Sequence, residues 1–188
     1  MYRIAVLISG TGSNLKALIE ESQRSNLFEI VLVIADRDAK GIQHAKNAGI
    51  EHLVLDRKRA SLSDDILQAV RGVDLIVLAG FLSILKGDIL KAYRDRIINI
   101  HPSLLPAFGG EGMYGLKVHQ AVLKDGKEVS GCTVHYVDEA VDGGKMIIQN
   151  IVSTKDLATG EELQARVLVE EHIALCTAVS LLALEHRN

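Results

Sequence analysis

Two hydrophobic rhythms alternate along the first hundred residues. Ile4–Ile8 is a continuous aliphatic run, the pattern of a strand buried on both faces, and Ile30–Ala35, His52–Leu55, Leu75–Ala79 and Ile97–Ile100 repeat it. Between these runs the apolar positions fall at helical spacing. They predict helices over Ser13–Glu21, Gly41–Ala48, Leu62–Val70 and Leu85–Tyr93, with Leu15, Leu18 and Ile19 sharing one face of the first. The βαβα rhythm predicts an α/β fold, a doubly wound and mostly parallel sheet with helices on both faces. Beyond Ile100 the pattern changes. A helix is predicted over Gly115–Leu123. Val129–Val137 alternates like a half-exposed strand, with Cys132, Val134 and Tyr136 on one side and Thr133 and His135 on the other. Lys145–Val152 reads as a further strand. Thr159–His186 reads as one long helix whose broad apolar face includes Leu163, Val167, Ala174, Val179 and Leu182.

Length and charge narrow the field. At 188 residues the chain is one domain's worth, and no linker or repeat interrupts it, so residues 1–188 are expected to fold as a single domain. Within it, residues 1–98 hold the βα repeats and 99–188 the irregular half. Eight of the sixteen glycines lie between Asn99 and Gly144, and both prolines, Pro102 and Pro106, lie in one short stretch. The net charge is −3 and no basic run exceeds Arg57-Lys58-Arg59, which argues against a nucleic-acid or acidic-membrane partner. Continuous apolar runs such as Leu75–Ala79 fall far short of the ~20 residues of a membrane span. Met1-Tyr2-Arg3-Ile4 enters a strand without a charged leader or cleavage site. Two cysteines, Cys132 and Cys176, with no CxxC spacing, fit a reduced cytoplasmic chain with buried thiols.

Three segments carry candidate chemistry. Ser9-Gly10-Thr11-Gly12-Ser13-Asn14 joins the first strand to the first helix, where glycines admit a close ligand and helix N–H groups point at an anion. It lacks the Gly-Lys-Ser/Thr of a P-loop and half-matches the dinucleotide fingerprint, with Leu15 at the third glycine position and Asp36 where a ribose-binding acid would stand. A phosphate is the natural guest; a plain βα turn remains the alternative. Asn99-Ile100-His101-Pro102-Ser103-Leu104-Leu105-Pro106 follows a strand end, and alternation puts Asn99 and His101 on one side, an amide donor beside an imidazole. Val137-Asp138-Glu139-Ala140-Val141-Asp142-Gly143-Gly144 holds three carboxylates before a glycine pair, either a solvated turn or a carboxylate partner for a histidine. Ser103 lacks a nucleophile elbow, and His101, His119, His135 and Asp142 lack metal-ligand spacing, so no metal is expected.

Taken together, Val6–Leu15, Val77–Leu82, Asn99–Pro106, Val134–Val137 and Asp142-Gly143-Gly144 resemble the small, folate-dependent phosphoribosylglycinamide formyltransferase family, in order and spacing and over essentially the whole chain. The resemblance implies a Rossmann-like fold and transfer of a formyl group from 10-formyltetrahydrofolate, the cosubstrate, to the amine of glycinamide ribonucleotide in purine synthesis. It implies that Asn99 and His101 stabilise the oxyanion of a tetrahedral intermediate, and that Asp142 pairs with His101 and raises its pKa. By the same resemblance Thr11, Gly12, Ser13 and Asn14 hold the substrate phosphate and Glu171 the ribose hydroxyls. Arg59, Leu82, Ser83, Ile84, Leu85 and Asn99 would contact the folate, and His135 would play a supporting role. Ser83 stands where some members carry arginine, and Ala107–Lys117 is longer and richer in glycine than the family's commoner loop. Formyltetrahydrofolate hydrolase and methionyl-tRNA formyltransferase share the catalytic pattern but carry further domains. A nicotinamide oxidoreductase or a non-catalytic nucleotide module accounts for the Gly10–Asn14 loop but not for Asn99, His101 and Asp142 together.

Overall fold

The aliphatic runs line up as one seven-stranded sheet in the computed structural model, which describes residues 1–187. The strands are β1 (Tyr2–Ile8), β2 (Phe28–Ala35), β3 (Glu51–Val54), β4 (Leu75–Leu78), β5 (Ile97–His101), β6 (Val129–Tyr136) and β7 (Met146–Ser153). Their spatial order is β3-β2-β1-β4-β5-β6-β7. The first five pair in parallel; β6 and β7 are antiparallel additions. The helices are α1 (Ser13–Ser25), α2 (Ile42–Asn47), α3 (Leu62–Ala69), α4 (Asp88–Ala92), α5 (Leu116–Lys124) and α6 (Gly160–Glu185).

Strand alternation splits the aliphatic residues between two cores. Ile4, Val6 and Ile8 of β1 pack under α1, α2, α5 and α6, while Ala5 and Leu7 pack against α3 and α4. In β2, Ile30 and Val33 share a face although three residues apart, because the β1–β2 register slips between Ile4 and Ala5. In β5, Ile98 and Ile100 enter the first core and Ile97 the second, so Asn99 and His101 point to the face that α3 and α4 cover lower down. At the carboxyl end of β5 that face meets the loops described below.

Three expectations change. The half-exposed strand expected over Val129–Val137 is buried on both faces from Ser130 to His135, because α6 packs on Cys132 and Val134 while Ser103 and Leu105 bond Thr133 on the other side. The helix expected over Leu85–Tyr93 is confined to Asp88–Ala92, because Gly87 sits at φ 77°, ψ −140°, outside any helical conformation. Residues 82–87 are therefore free to form a loop. The apolar content of α6 also exceeds what its continuous runs suggest, since Glu170, Glu171 and His172 interrupt it. Among the described residues α6 alone is long and apolar enough to cross a bilayer by length and composition. Here it is a core helix, with Leu163, Val167, Ala174, Leu175, Ala178 and Val179 buried against the sheet and α1. A capping box fixes its start: the Thr159 hydroxyl accepts from Glu162 N–H and the Glu162 carboxylate accepts from Thr159 N–H.

Candidate active site

Strand order reverses between β1 and β4, and open α/β sheets leave a crevice at such a point. The loops after β1, β4 and β5 meet there with the turn between β6 and β7 and with α6, around a cavity of about 1000 Å³. Thr11–Asn14, Leu82–Leu85, Asn99, His101, His135, Asp142 and Glu171 all line it. Arg59 does not: it is exposed on the loop before α3, with its guanidinium 3.6 Å from the Asp65 carboxylate.

The β1 loop is built for close approach. Gly12, at φ 74°, caps α1 and has no side chain to bond the N–H groups of the first turn. That turn also carries no acidic residue, which leaves the positive end of the helix dipole open to an anion. The loop is held from behind by Gly41, whose N–H donates to Gly10 O at 2.9 Å, and a Cβ on Gly12 would run into Gly41. Leu15 is fully buried, contributing about 1.5–3 kcal/mol of apolar burial, and fills the position of the third fingerprint glycine. Asn14 donates to the Glu171 carboxylate at 2.9 Å, tying α1 to α6. Burial pushes the Glu171 carboxyl up, against the opposing bond from Asn14.

The strand-borne residues form a ladder-fixed set. Asn99 pairs with His135 across β5 and β6, so their side chains stand directly opposite, with Asn99 Nδ2 3.1 Å from His135 Nε2. His135 Nδ1 lies 2.8 Å from the Tyr136 carbonyl, which only accepts; the neutral ring therefore carries its proton on Nδ1 and accepts from the Asn99 amide on Nε2. One amide hydrogen of Asn99 is left for the cavity. Beside it, His101 Nε2 donates to Phe108 O at 2.9 Å. Phe108 is the first surprise of the glycine-rich loop. Its ring packs on the first core while its backbone, at φ 55°, turns the carbonyl onto His101. A non-glycine residue holds that conformation at a cost of roughly 1–2 kcal/mol.

Asp142 arrives from the other side. Its Oδ2 lies 3.4 Å from His101 Nδ1, its Oδ1 3.6 Å from His135 Nε2, and Oδ2 also accepts Gly110 N–H at 2.9 Å. The turn that carries it lies flat on β6 because Gly144 has no side chain; a Cβ there would run into the Tyr136 carbonyl. Burial raises the Asp142 carboxyl, but the neighbouring His135 and His101 imidazoles and the Gly110 N–H outweigh it and hold the group below its usual value. For His101 the balance goes the other way. Burial is the largest influence and lowers its pKa; the Asp142 carboxylate and the Phe108 bond oppose it without reversing it. Asp142 thus pulls the His101 pKa up as expected, but burial outweighs it and the net shift is downward; in the neutral ring Nδ1 is bare and faces Asp142. A proton taken up by either imidazole lands facing the same carboxylate.

Sequence reasoning missed three participants. Phe108 and Gly110 act through backbone groups, which no side-chain pattern announces. His119, on the first turn of α5, is 1% exposed, lines the cavity and has an unpartnered Nδ1. Burial and the neighbouring His101 push its pKa down to about 4. Its position after Gly115 in the irregular half gave no distinguishing signal. Asp36 is corrected as well: its carboxylate is closed off by Arg37 and Ser83 and holds no free oxygen for a ribose.

The family described as formyl transferase matches residues 2–179. A chloroplastic phosphoribosylglycinamide formyltransferase of Vigna unguiculata is 40% identical over 178 residues, covering 90% of this chain and 57% of that protein. The trifunctional purine biosynthetic protein adenosine-3 of Gallus gallus is 43% identical over 189 residues, covering 96% of this chain and 18% of that protein. This chain thus spans little more than half of the plant relative and less than a fifth of the animal one. Among solved structures, glycinamide ribonucleotide transformylase 1 from Symbiobacterium toebii superposes with a TM-score of 0.91 at 39% identity, over 98% of this chain and 89% of that one. With a matching family model over nearly its full length and an amide, two imidazoles and a carboxylate gathered at the sheet's switch point, this chain belongs to the formyl transferase family.

Proposed function

We propose that this chain transfers the formyl group of 10-formyltetrahydrofolate to the primary amine of glycinamide ribonucleotide, as a single cytoplasmic domain of purine synthesis that needs no metal. The observation that carries the reading is the convergence of Asn99, His101 and Asp142 on one cavity wall, 3.4 Å apart at the His101–Asp142 contact, between two loops of different chemistry. On one side stands the uncapped helix end of Gly12–Asn14, suited to a phosphate, with Glu171 positioned to accept from ribose hydroxyls. On the other, Leu82 and Ile84 are exposed apolar side chains, suited to a flat heteroaromatic ligand. A cavity of about 1000 Å³ has room for both substrates at once. The relatives' names support the same pairing.

In this reading the amine nitrogen attacks the formyl carbon directly, and the carbonyl electron pair moves onto oxygen. The free Asn99 amide hydrogen donates to that oxyanion, and His101 Nε2–H joins it once Phe108 O gives way. The added nitrogen must lose a proton and N10 of the folate must gain one as the C–N10 bond breaks. The bare His101 Nδ1, with Asp142 facing it, is the group placed to take and return that proton, directly or through one water. His135 fixes the Asn99 amide. The test is consumption of 10-formyltetrahydrofolate by the purified protein with and without glycinamide ribonucleotide. Turnover only when both are present, with formylglycinamide ribonucleotide as product, is expected. Formyl loss to water at an equal rate without the amine overturns the reading.

A further inference from the structure

Asp36, at the carboxyl end of β2, has a side chain with no solvent exposure, yet nothing in the reaction above uses it. Its Oδ1 accepts Arg37 Nε at 2.8 Å, and its Oδ2 accepts both Arg37 Nη2 at 3.0 Å and the Ser83 hydroxyl at 2.5 Å. Ser83 belongs to the β4 loop, on the folate side of the cavity. The β1 loop, on the phosphate side, is joined to the same cluster through Ser9. Its N–H donates to Gly80 O at 3.0 Å, and its hydroxyl accepts Leu82 N–H at 2.8 Å. Burial works to raise the Asp36 carboxyl, but the bonds from Arg37 and Ser83 outweigh it and keep it ionised. Gly10 is pinned from the same side by Gly41 N–H.

A buried carboxylate is costly unless every lone pair is met, and removal of one donor leaves an uncompensated charge. Asp36 therefore ties Ser83, and through the Leu82 N–H also Ser9, into one unit, so that the two loops shift together rather than independently. We infer that Asp36 is a positioning residue that couples the two substrate loops through Ser9 and Ser83, so that each substrate binds more tightly when the other is present. The inference rests on the functional reading above. The mechanism is rigidification: the first ligand orders one loop, the network transmits that order, and the second ligand meets a loop already in place. Coupling between two sites is reciprocal and typically 5- to 150-fold, about 1–3 kcal/mol.

The experiment measures the Kd of glycinamide ribonucleotide by calorimetry, alone and with saturating tetrahydrofolate, and the converse pair, in the full chain. Wild type should show at least about fivefold mutual tightening. In Asp36→Asn the amide loses the bidentate pairing with Arg37, and the ratio should fall below twofold in both directions. Ser83→Ala, which removes only the bridging hydroxyl and leaves the Asp36–Arg37 pair, should lower the same ratio and keeps the test open if Asp36→Asn misfolds. A simple loss of stability would weaken both affinities without moving the ratio. Wild-type binding of both ligands with no mutual tightening, or an unchanged ratio in Ser83→Ala, overturns the inference alone. Failure of either ligand to bind wild type overturns the functional reading and the inference with it.

Discussion

Asn99 and Asp142 reach the same cavity by opposite routes. Asn99 stands in a strand with a hydrogen-bonded neighbour on each side, Leu78 in β4 and His135 in β6, and its direction follows from the pleat. Asp142 stands at φ 56° in a turn whose place is set by Gly144 lying against the Tyr136 carbonyl and by Gly110 N–H reaching across from another loop. A group placed by a ladder moves only if the sheet moves. A group placed by docked turns can be displaced by a single methyl far from its own carboxylate. The carboxylate needs such placement because it must meet two imidazoles from adjacent strands at once.

The largest effects test whether the two routes converge on one unit. His101→Ala and Asp142→Ala should each lower kcat by roughly 10²–10⁴. The double mutant should be little worse than the poorer single mutant, measured as a double-mutant cycle at saturating substrates. Effects that multiply would mean the strand-borne and turn-borne groups work separately. Because Asp142 opposes the downward shift of His101, Asp142→Asn should lower the His101 pKa further, read by NMR titration of the free protein. Next, Asn99→Ala removes a donor whose charge does not vary with pH. A loss of about 10²–10³ in kcat, or ~2.7–4 kcal/mol, is expected, with the shape of the pH–rate profile retained. A change in that shape would give Asn99 a part in proton transfer.

The contrast sharpens with Gly144→Ala, which leaves every polar group in place and drives a Cβ into backbone. If Asp142 depends on docking, kcat should drop on the order of 10²-fold, the scale of an ångström-sized misplacement. A comparable loss of activity should not follow from Gly110→Ala, where a Cβ meets nothing within 4 Å, although its φ of 96° makes that variant somewhat less stable. His119 offers a readout in stability. Its folded pKa of about 4 lies below the ordinary 6.5 of the unfolded chain. Its contribution is therefore complete above pH 6.5 and lost as pH falls towards 4, a change of about 3 kcal/mol. Denaturant unfolding across that range should be distinctly flatter in His119→Gln. The smallest effect belongs to Arg59→Ala, which should change the KM for formyl-folate less than about twofold, the effect of losing an exposed ion pair.

These differences also explain what could be read in advance. Alternation alone sets Asn99 beside His101, and two glycines after an aliphatic strand mark the open turn into α1, because both depend on neighbours a few residues away. Apolar spacing overstates the reach of α4, because it continues through Leu85 while Gly87 breaks the backbone. The Phe108 carbonyl, the Gly110 N–H and the unpartnered His119 nitrogen arise from contacts between distant segments and from groups every residue possesses. Even the pKa of His101 depends on such contacts: a carboxylate nearby predicts a rise, and only the depth of burial around the ring reverses it.

The Phe108 carbonyl has a consequence for any molecule that seeks His101. The Nε2–H is already spent on an internal acceptor, so an incoming oxygen enters an exchange, one carbonyl for another, whose net hydrogen-bond gain is close to zero. Strength of the new bond then contributes little to selection. What favours the exchange is relief of the left-handed strain at Phe108 and the fit of the rest of the ligand to the cavity. For inhibitor chemistry, adding a better acceptor aimed at His101 should gain little, whereas filling the space that the 107–115 loop vacates should gain most.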